Sequence, residues 1–458
     1  MREPGQSDTM IAKNISSIGR AAVVLSLLGG LAACSGGLFG GKGPKTTPTI
    51  GERIPVLSKI ESGASVDSSL AAISVVLPPP QLNTEWAQAG GNASKSNGHV
   101  MLADNPTQVW TAQIAGSSNR RRLAASPVVG DGLLVAVDTD GVVHAMDAQT
   151  GARRWSYRMK VADDLQGSAF GGGATYNGGR VYVTNGIGEV AALDAATGTE
   201  IWKVRPAGPL RGSPTVAFNA AFVMTQDNQI FALNVADGSI QWQESGSASQ
   251  AGVFGVAAPA AGQGSVIAGY SSGELAAYRY ENGRVLWADA LARTSISTEV
   301  GALNDIDADP IIEQGRVYAL GQGGRMAAYE LVTGQRIWEI RVAGISTPAI
   351  AGEWIFALTD DARLLAIARA TGKIRWITQL AQFRDAKDKK GPIFWTGPVL
   401  AGNNLWVASS EGEIYKLSTS EGSASLYRDL KTPVSLAPIV ANQTMYILDD
   451  GGTIHAYR

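Results

Sequence analysis

The sequence has one cysteine and few histidines, and these shortages narrow the chemistry that the chain can support. Cys34 is the single thiol among 458 residues, and only three histidines are present. One cysteine excludes an intrachain disulfide, a multi-cysteine zinc or iron–sulfur site and a CxxC redox motif. Three histidines also argue against a histidine-rich metal centre. We therefore expect no metal site and no cofactor in this chain.

The chain also lacks an excess of charge of either sign. Its formal net charge is -2, and charged residues make up 17% of the sequence. Without a broad basic field, binding to nucleic acid is not expected. Glycine, in contrast, occurs 55 times. Because tight turns between short strands often require glycine, this abundance favours an all-β architecture.

The first part of the chain has the pattern of an export signal. Lys13 and Arg20 provide positive charge before an apolar run, AAVVLSLLGGL, at residues 21–31. This run is too short to cross a bilayer as a mature helix, whereas its length suits a cleaved signal peptide. We therefore expect residues 1–33 to be a lipoprotein signal peptide that is removed from the mature protein.

The predicted signal ends in a sequence that resembles the bacterial lipobox. Leu-Ala-Ala-Cys occupies residues 31–34, which makes Cys34 the expected site of lipidation. By resemblance to bacterial lipoproteins, Ser35 fits sorting to the outer membrane. Residues 34–82 begin with a Gly-, Pro- and Thr-rich stretch and are predicted to form a flexible tether. Residues 50–82 leave a second interpretation open, in which they add an edge strand or a docking segment to the folded domain.

One sequence unit recurs along the rest of the chain and predicts its fold. The unit has an apolar strand, a turn ending in glycine and a strand carrying Trp, and its copies lie about 40 to 50 residues apart, the length of a four-stranded propeller blade. A second signature, a small or polar residue before Pro and an apolar run, precedes most copies, as in Ser126-Pro127. The copies are AMDAQTGARRW (145–155), ALDAATGTEIW (192–202), ALNVADGSIQW (232–242), AYRYENGRVLW (277–287), AYELVTGQRIW (328–338), AIARATGKIRW (366–376) and the degenerate KLSTSEGSASLY (416–427).

The two ends of the repeat region complement each other. Residues 437–458 provide three strands, whereas residues 106–114 provide a Trp-bearing fourth strand with no three strands before it. Placing the N-terminal strand in the last blade completes that blade and leaves no open sheet edge in the ring. We therefore predict that residues 83–458 form an all-β, eight-bladed β-propeller closed by pairing of its N-terminal and C-terminal strands.

The repeated Trp and Gly residues are predicted to be structural. The glycine is expected to adopt a positive φ in the turn between the third and fourth strands. The tryptophan is expected to pack between adjacent blades. His144 and His455 occupy equivalent positions before Ala in their repeats, so they too are interpreted as structural. No Ser–His–Asp or paired-carboxylate arrangement can be defended from spacing, and we expect no catalytic residue.

The AxDxxTGxxxW unit resembles the pyrroloquinoline-quinone (PQQ) repeat. Two families share this repeat, the periplasmic quinoprotein dehydrogenases and BamB, a lipoprotein of the outer-membrane protein assembly (BAM) complex. The lipobox, the repeat and the blade count together resemble BamB. The resemblance implies a non-catalytic scaffold, lipid-anchored at the periplasmic face of the outer membrane. It also implies that the scaffold binds the POTRA domains of BamA and aids the folding and insertion of outer-membrane proteins, with direct contact to nascent chains left open.

Two local motifs strengthen the resemblance to BamB and imply a partner-binding site. An L-R-G stretch and a D-x-D stretch each lie directly before the first strand of a blade, and in the family both stretches face the POTRA domains. Gly208 stands where the family has a further leucine. The residues of this chain that match the two motifs are Leu210, Arg211, Asp305 and Asp307.

Topology and chemistry favour the same site without the family. Both motifs lie in connections from the outermost strand of one blade to the innermost strand of the next, and all such connections emerge on one face of a propeller. Leu210 would supply an apolar anchor, Arg211 a bidentate donor, and Asp305 and Asp307 acceptors for partner Arg or Lys. The alternative is that these are ordinary solvated loops in which Asp caps turns.

Two other function classes stay open. A quinoprotein dehydrogenase is the main alternative, and the resemblance implies that such an enzyme has a vicinal disulfide against the quinone and a bound Ca²⁺. With its one cysteine, Cys34, expected to be lipidated, the mature chain has no thiol left for that disulfide, although some soluble quinoproteins lack it as well. A propeller that binds a small ligand in its central channel is the third class. The charged loops 120–122 and 384–390 are interpreted either as solvated loops or as contacts to a partner or an anionic membrane.

Overall fold

The computed structural model describes residues 64–247, 257–291 and 305–458. In these residues, 34 β-strands form eight four-stranded antiparallel sheets and one two-stranded hairpin. The helical segments of this part of the chain are two 3-10 helices, Ser68–Leu70 and Asp163–Ser168. No helix here is long and apolar enough to span a bilayer. The predicted signal peptide and Cys34 lie outside the described residues.

Each sheet is one blade, and its strands follow the chain from the inside of the ring outwards. Blades 1 to 4 consist of β2 (Val128–Gly130), β3 (Leu133–Val137), β4 (Val142–Asp147) and β5 (Arg153–Arg158); β6 (Ala174–Asn177), β7 (Arg180–Thr184), β8 (Val190–Asp194) and β9 (Glu200–Val204); β10 (Leu210–Ala217), β11 (Ala220–Thr225), β12 (Gln229–Asn234) and β13 (Ile240–Ser245); and β14 (Ala260–Gly262), β15 (Ser265–Gly269), β16 (Glu274–Arg279) and β17 (Val285–Ala290).

The remaining blades repeat this order. Blades 5 to 7 consist of β18 (Ile311–Glu313), β19 (Arg316–Gly321), β20 (Arg325–Glu330) and β21 (Arg336–Ile340); β22 (Ala349–Ala351), β23 (Trp354–Leu358), β24 (Arg363–Ala368) and β25 (Ile374–Gln379); and β28 (Trp395–Ala401), β29 (Asn404–Ser409), β30 (Glu413–Ser418) and β31 (Ala424–Asp429). A hairpin of β26 (Phe383–Asp385) and β27 (Lys390–Pro392) stands between blades 6 and 7. Blade 8 contains β32 (Ile439–Ala441), β33 (Thr444–Leu448) and β34 (Thr453–Tyr457).

The outermost strand of blade 8 comes from the other end of the domain. Strand β1 (Gln108–Gln113) pairs antiparallel with β34, and Trp110 lies opposite Ala456. The backbone of Thr107 exchanges hydrogen bonds with that of Arg458 over 2.7 and 2.8 Å. The predicted eight-bladed propeller and its closure by the N-terminal and C-terminal strands are therefore confirmed.

The burial of each strand follows its place in the blade. The second and third strands are covered by neighbouring blades on both faces, so they are apolar almost throughout, as in LLVAV of β3. The fourth strand has one covered position between exposed ones, as in β17, where Trp287 is buried and its neighbours are exposed. Buried side chains of adjacent sheets form shared clusters, for example Ile267 of blade 4 with Val317 of blade 5. The core therefore lies between blades.

The Trp of one repeat packs on the turn glycine of the next. At Gly372, where φ is +72°, an added Cβ would lie 2.8 Å from the Trp338 ring, and the indole Nε1 of Trp338 donates to the Arg369 carbonyl over 2.9 Å. Both structural predictions for these residues are thereby confirmed. The same contact joins Trp155 to Gly198, Trp202 to Gly238, Trp242 to Gly283, Trp287 to Gly334, Trp376 to Gly422 and, across the closure, Trp110 to Gly151.

Residues 81–102 form a belt across the inner strands. Trp86 pairs with Val129 through two 2.8 Å hydrogen bonds, and further bonds follow around the ring. The bonds lie mostly where the first strands end, so the belt is at the end of the channel away from the blade-to-blade connections. The belt provides hydrogen-bond partners for the backbone at the inner edges of the sheets, which would otherwise lack them. The bonded residues are Val129, Tyr176, Val216, Ala261, Ile312, Leu400 and Asn442 in blades 1 to 5, 7 and 8.

Lys95, a residue of the belt, connects it to the propeller through its buried side chain. Its side chain is 2% exposed, and Nζ donates to the Ala89 carbonyl (2.9 Å) and to Oγ1 of Thr215 (3.0 Å). Burial lowers the pKa of Lys95 to about 8, and the nearby Asp309 acts against this change. Burial also raises the pKa of Asp309, although the charge of Lys95 opposes it. Two buried groups of opposite charge, Lys95 of the belt and Asp309 of blade 5, thus influence each other electrostatically.

Residues 64–82, which the sequence placed in the tether, lie along blade 6. Val66 pairs in parallel with Ile374, and Pro78 lies beside Gly352 in the first turn of that blade. Of the two interpretations of this stretch, the docking segment is the one observed for these residues. The physical reason is that Val66 covers an apolar position on an otherwise open strand edge.

Candidate partner-binding face

The connections between blades surround a cavity of about 950 Å³ at one end of the channel. Belt residues, among them Trp86, Gln88 and Lys95, line the same cavity. Many of the repeated prolines of the second sequence signature line this cavity, because each stands where a blade begins. They are Pro127, Pro348, Pro398 and Pro438. The signature therefore marks the wall of a funnel, which we call the central funnel.

Leu210 begins β10 but does not reach the surface. It is 3% exposed and packs with Tyr182, Trp202 and Phe231 between blades 2 and 3. Sequence had suggested an exposed apolar anchor, and the side chain instead belongs to the core. Its position holds the following backbone at the funnel, where Gly212 lines the wall and its carbonyl accepts a 2.6 Å hydrogen bond from Thr184.

Arg211 lies next to this backbone. Its main chain pairs with Met224, and the register of β10 against β11 is irregular between Arg211 and Thr215. Gly212, with φ of +54°, falls within this irregularity. The irregularity interrupts the regular pairing of the L-R-G stretch, whose Gly212 lines the central funnel.

Asp305 and Asp307 lie in the connection from blade 4 to blade 5. Asp305 is 1% exposed, and its carbonyl accepts a 2.9 Å hydrogen bond from the Gln322 backbone. Asp307 is half-buried and lines the central funnel. Ile306 between them is fully buried against Gly269 and Gly321 and fixes the loop. Of the two carboxylates, Asp307 is the one placed at the funnel.

The structure brings the two motifs to one cavity. Gly212 and Ser213 from the first motif region and Asp307 from the second line the same funnel. Arg211 directly precedes Gly212 in the chain and pairs with Met224, while Leu210 and Asp305 lie beneath the surface. The expectation that the four residues bind a partner stays a prediction, and the geometry divides them into surface and supporting positions.

Gln322 is a residue that sequence reasoning missed. It lies in the turn between β19 and β20 and lines the central funnel. Its side-chain Oε1 is buried and has no hydrogen-bond partner within the described part of the chain. An unsatisfied buried acceptor is costly and is a good position for an incoming donor. Only the turn signal Gly-Gln-Gly-Gly marked this place in the sequence.

The two charged loops stand on the same face as the central funnel. Arg121 pairs with Asp140 at 2.7 Å, while Arg122 lines the funnel. The loop at 384–390 is largely the β26–β27 hairpin, in which Arg384 lies 3.5 Å from Glu411. Phe394, just after this hairpin, is 68% exposed. The loops thus contribute charged and apolar groups to the rim.

The histidines make structural contacts. His144 Nε2 lies 2.7 Å from Asp138 and His455 Nε2 lies 2.9 Å from Asp449, at equivalent positions in blades 1 and 8. Burial acts to raise the pKa of Asp138, but hydrogen bonds from His144 and nearby backbone amides outweigh it and lower that pKa. His99 joins the Pro78 carbonyl to the Asn403 amide. No group of three or more potential metal ligands occurs in residues 64–247, 257–291 and 305–458.

Fold and site together define a class: a PQQ-repeat-type β-propeller whose irregular loops converge on one funnel. A family model described as outer membrane protein assembly factor BamB matches residues 96–168, 158–378 and 380–458. The chain therefore belongs to the BamB family. The BamB of Yersinia pestis is 27% identical over 358 residues, which are 77% of this chain and 89% of that protein.

Solved structures support the fold. The crystal structure of BamB from Moraxella catarrhalis has a TM-score of 0.64 at 20% identity and covers 77% of this chain and 99% of its own. A europium-containing methanol dehydrogenase has a TM-score of 0.63 at 13% identity and covers 80% of this chain and 89% of its own. At these identities both similarities concern the fold alone.

Proposed function

We propose that this chain is a lipid-anchored, non-catalytic scaffold of the outer-membrane β-barrel assembly machinery, at the periplasmic face of the outer membrane. In this role it binds the POTRA domains of BamA and aids the folding and insertion of outer-membrane proteins. The observation that carries the proposal is the convergence of the L-R-G and D-x-D stretches on one funnel. Membership of the BamB family supports the assembly role.

Within the proposed partner site, the residues at the funnel and the buried residues have different roles. Asp307 and Gln322 both line the central funnel, and the buried Oε1 of Gln322 has no hydrogen-bond partner within the described residues. A partner Arg or Lys inserted there would gain a charge-assisted hydrogen bond and satisfy an acceptor that otherwise has none. Leu210 and Asp305 support the site from below, because their side chains are buried.

Charge reversal at the funnel tests the proposal. In Asp307→Arg, an incoming cation meets a like charge, so capture of BamA by the purified lipoprotein should fall about tenfold or more. Glu421→Arg makes the same charge change in an exposed turn between β30 and β31, away from the funnel, and should leave capture unchanged. Because Asp305 is buried, the neutral substitution Asp305→Asn is used at this position in place of a charge reversal.

Circular dichroism and unfolding midpoints would establish that the variants are folded. Equal capture by Asp307→Arg and the unaltered protein would contradict the assignment of the interface. Stoichiometric PQQ and Ca²⁺ in the purified protein, with turnover of an alcohol, would contradict the non-catalytic role.

A further inference from the structure

The docked segment at residues 64–82 leaves apolar side chains exposed, although blade 6 holds the segment in place. Val75 and Leu77 pack against a core cluster shared by blades 6 and 7. Nε of Arg375 donates to the Ile73 carbonyl over 2.8 Å. Four apolar side chains of the segment nevertheless remain in solvent, and we call them the apolar stripe. They are Val66 (49% exposed), Ile73 (47%), Val76 (72%) and Leu82 (52%).

The stripe lies in a part of the chain that lacks charge. Residues 68–84, SSLAAISVVLPPPQLNT, contain no Asp, Glu, Lys or Arg, whereas charged residues make up 17% of the whole chain. Charged side chains are mostly exposed in folded proteins, so an exposed stretch without any of them is unusual. Removing this stretch from water costs little, because no charge has to lose its hydration. The composition therefore favours an apolar occupant.

Two basic side chains border the stripe, one in the last turn of blade 6 and one in its outer strand. Lys373 forms a 3.0 Å ion pair with Asp67 and keeps its side chain 47% exposed. Arg375 reaches the segment through its hydrogen bond to the Ile73 carbonyl. An apolar surface with basic residues at its margin is the pattern of interfacial segments on anionic bilayers. The margin of the stripe therefore suits lipid headgroups.

The stripe and the mouth of the central funnel face different ends of the propeller. Val66 pairs with Ile374, the first residue of β25, and Pro78 lies beside Gly352 in the turn between β22 and β23. Both places are at the end of blade 6 opposite to its connection to blade 7, because β25 runs from Ile374 toward that connection. A surface bound at the stripe therefore leaves the mouth of the funnel free.

The predicted lipid anchor determines which apolar surface the stripe can reach. Residues 35–65 connect Cys34 to the stripe, and a chain of this length spans at most about 110 Å when fully extended. The bilayer that holds the acyl chains at Cys34 is therefore always within reach of the stripe. A contact made by a tethered surface is intramolecular, so a weak affinity is enough to populate it.

We infer that the apolar stripe docks on the periplasmic leaflet of the outer membrane. Ile73 and Val76 enter the boundary between headgroups and acyl chains, while Lys373 and Arg375 contact anionic headgroups. The inference rests on the lipid anchor of the proposed function and adds an orientation to it. The end of blade 6 that carries the stripe faces the membrane, and the central funnel opens away from the membrane toward soluble partner domains.

A fluorophore placed on the stripe tests the docking. Cys34 is the only cysteine and is expected to be lipidated, so a cysteine introduced elsewhere is labelled alone. The full lipoproteins Val76→Cys and Phe394→Cys carry an environment-sensitive dye and are bound to vesicles of phosphatidylethanolamine and phosphatidylglycerol. Phe394, which is 68% exposed and lines the funnel, is the matched control. Brominated acyl chains should quench the dye at position 76 and not at position 394.

Equal quenching at both positions, or none at position 76, would overturn the inference. A second arm places the dye at Leu82→Cys and adds Ile73→Asp and Val76→Asp. Quenching should then fall to the level of the Phe394→Cys control, and undiminished quenching would show that the stripe is not the contact. A dye at position 76 that becomes shielded with rising protein concentration in the unlipidated Cys34→Ser protein, without vesicles, would assign the stripe to a second copy instead.

Failure of the proposed function is seen separately. A lipoprotein that does not float with the vesicles contradicts the anchor and with it this inference, whereas vesicle-bound protein without quenching contradicts the docking alone. Capture of BamA by the Ile73→Asp, Val76→Asp protein should equal capture by the unaltered protein, because the funnel is unchanged. Loss of capture in this variant, with an unaltered circular dichroism spectrum, would contradict the separation of the two surfaces.

Discussion

The contact between the repeated Trp and the turn Gly allows a test of what stabilises each interface between blades. Gly372 and Gly315 both have a positive φ, +72° and +75°, but only at Gly372 would a Cβ meet an indole ring, at 2.8 Å, whereas nothing lies within 4 Å at Gly315. Gly315→Ala should therefore cost only the left-handed backbone, about 1 kcal/mol. Gly372→Ala should add overpacking against Trp338, for a total of about 3 kcal/mol.

The assay is urea unfolding followed by tryptophan fluorescence, with unfolding free energies compared at equal slope. If the ring contact is responsible, Trp338→Leu should relieve part of the penalty of Gly372→Ala, so that the two changes are not additive. Equal destabilisation by Gly372→Ala and Gly315→Ala would refute the reasoning, because the backbone alone would then explain both. Additive effects of Gly372→Ala and Trp338→Leu would refute it as well.

Three further predictions concern the belt, an interblade ion pair and the anchor. Burial lowers the pKa of Lys95 from 10.5 to about 8, so the unfolded chain binds more protons between these pH values. Lys95 therefore adds to the rise in unfolding free energy from about pH 8 to 10.5, and Lys95→Met should lack that rise in urea unfolding at pH 8 and 10. Arg369 is 5% exposed and lies 3.4 Å from Glu313. Arg369→Met should therefore cost about 3 kcal/mol in thermal or urea unfolding, because it removes the positive charge that faces this carboxylate; a loss under 1 kcal/mol would contradict this. Cys34→Ser should shift the protein from the membrane fraction to the soluble one, and undiminished membrane fractionation would argue against lipidation.

The repeat made the architecture predictable. Trp and Gly recur because each interface between blades needs the same pair, and Trp110 follows the rule even across the closure. The spacing of these residues therefore predicted the blades, and the incomplete strand sets at both ends predicted how the ring closes. Counting the strands of each blade also predicted that the L-R-G and D-x-D stretches lie in blade-to-blade connections.

The side-chain environment of the site was not predictable in the same way. Leu210 is buried because Tyr182, Trp202 and Phe231 of blades 2 and 3 pack around it, and Asp305 is 1% exposed in the connection from blade 4 to blade 5. Gln322 was missed because an unsatisfied acceptor depends on what surrounds it and leaves no sequence pattern. The belt at residues 81–102 was hidden for a similar reason, since its hydrogen bonds go to inner strands of many blades.

The closure of blade 8 has a consequence for the time course of folding. Residue 108 pairs with residue 457, so the contact that completes the ring joins positions separated by nearly the whole domain. Contacts of such long sequence separation form late and slow folding. During synthesis, blades 1 to 7 can assemble in order, but β1 has no partner strand until β34 has emerged. The belt contacts the first and the last blades alike, so its seating is also delayed until the ring is complete.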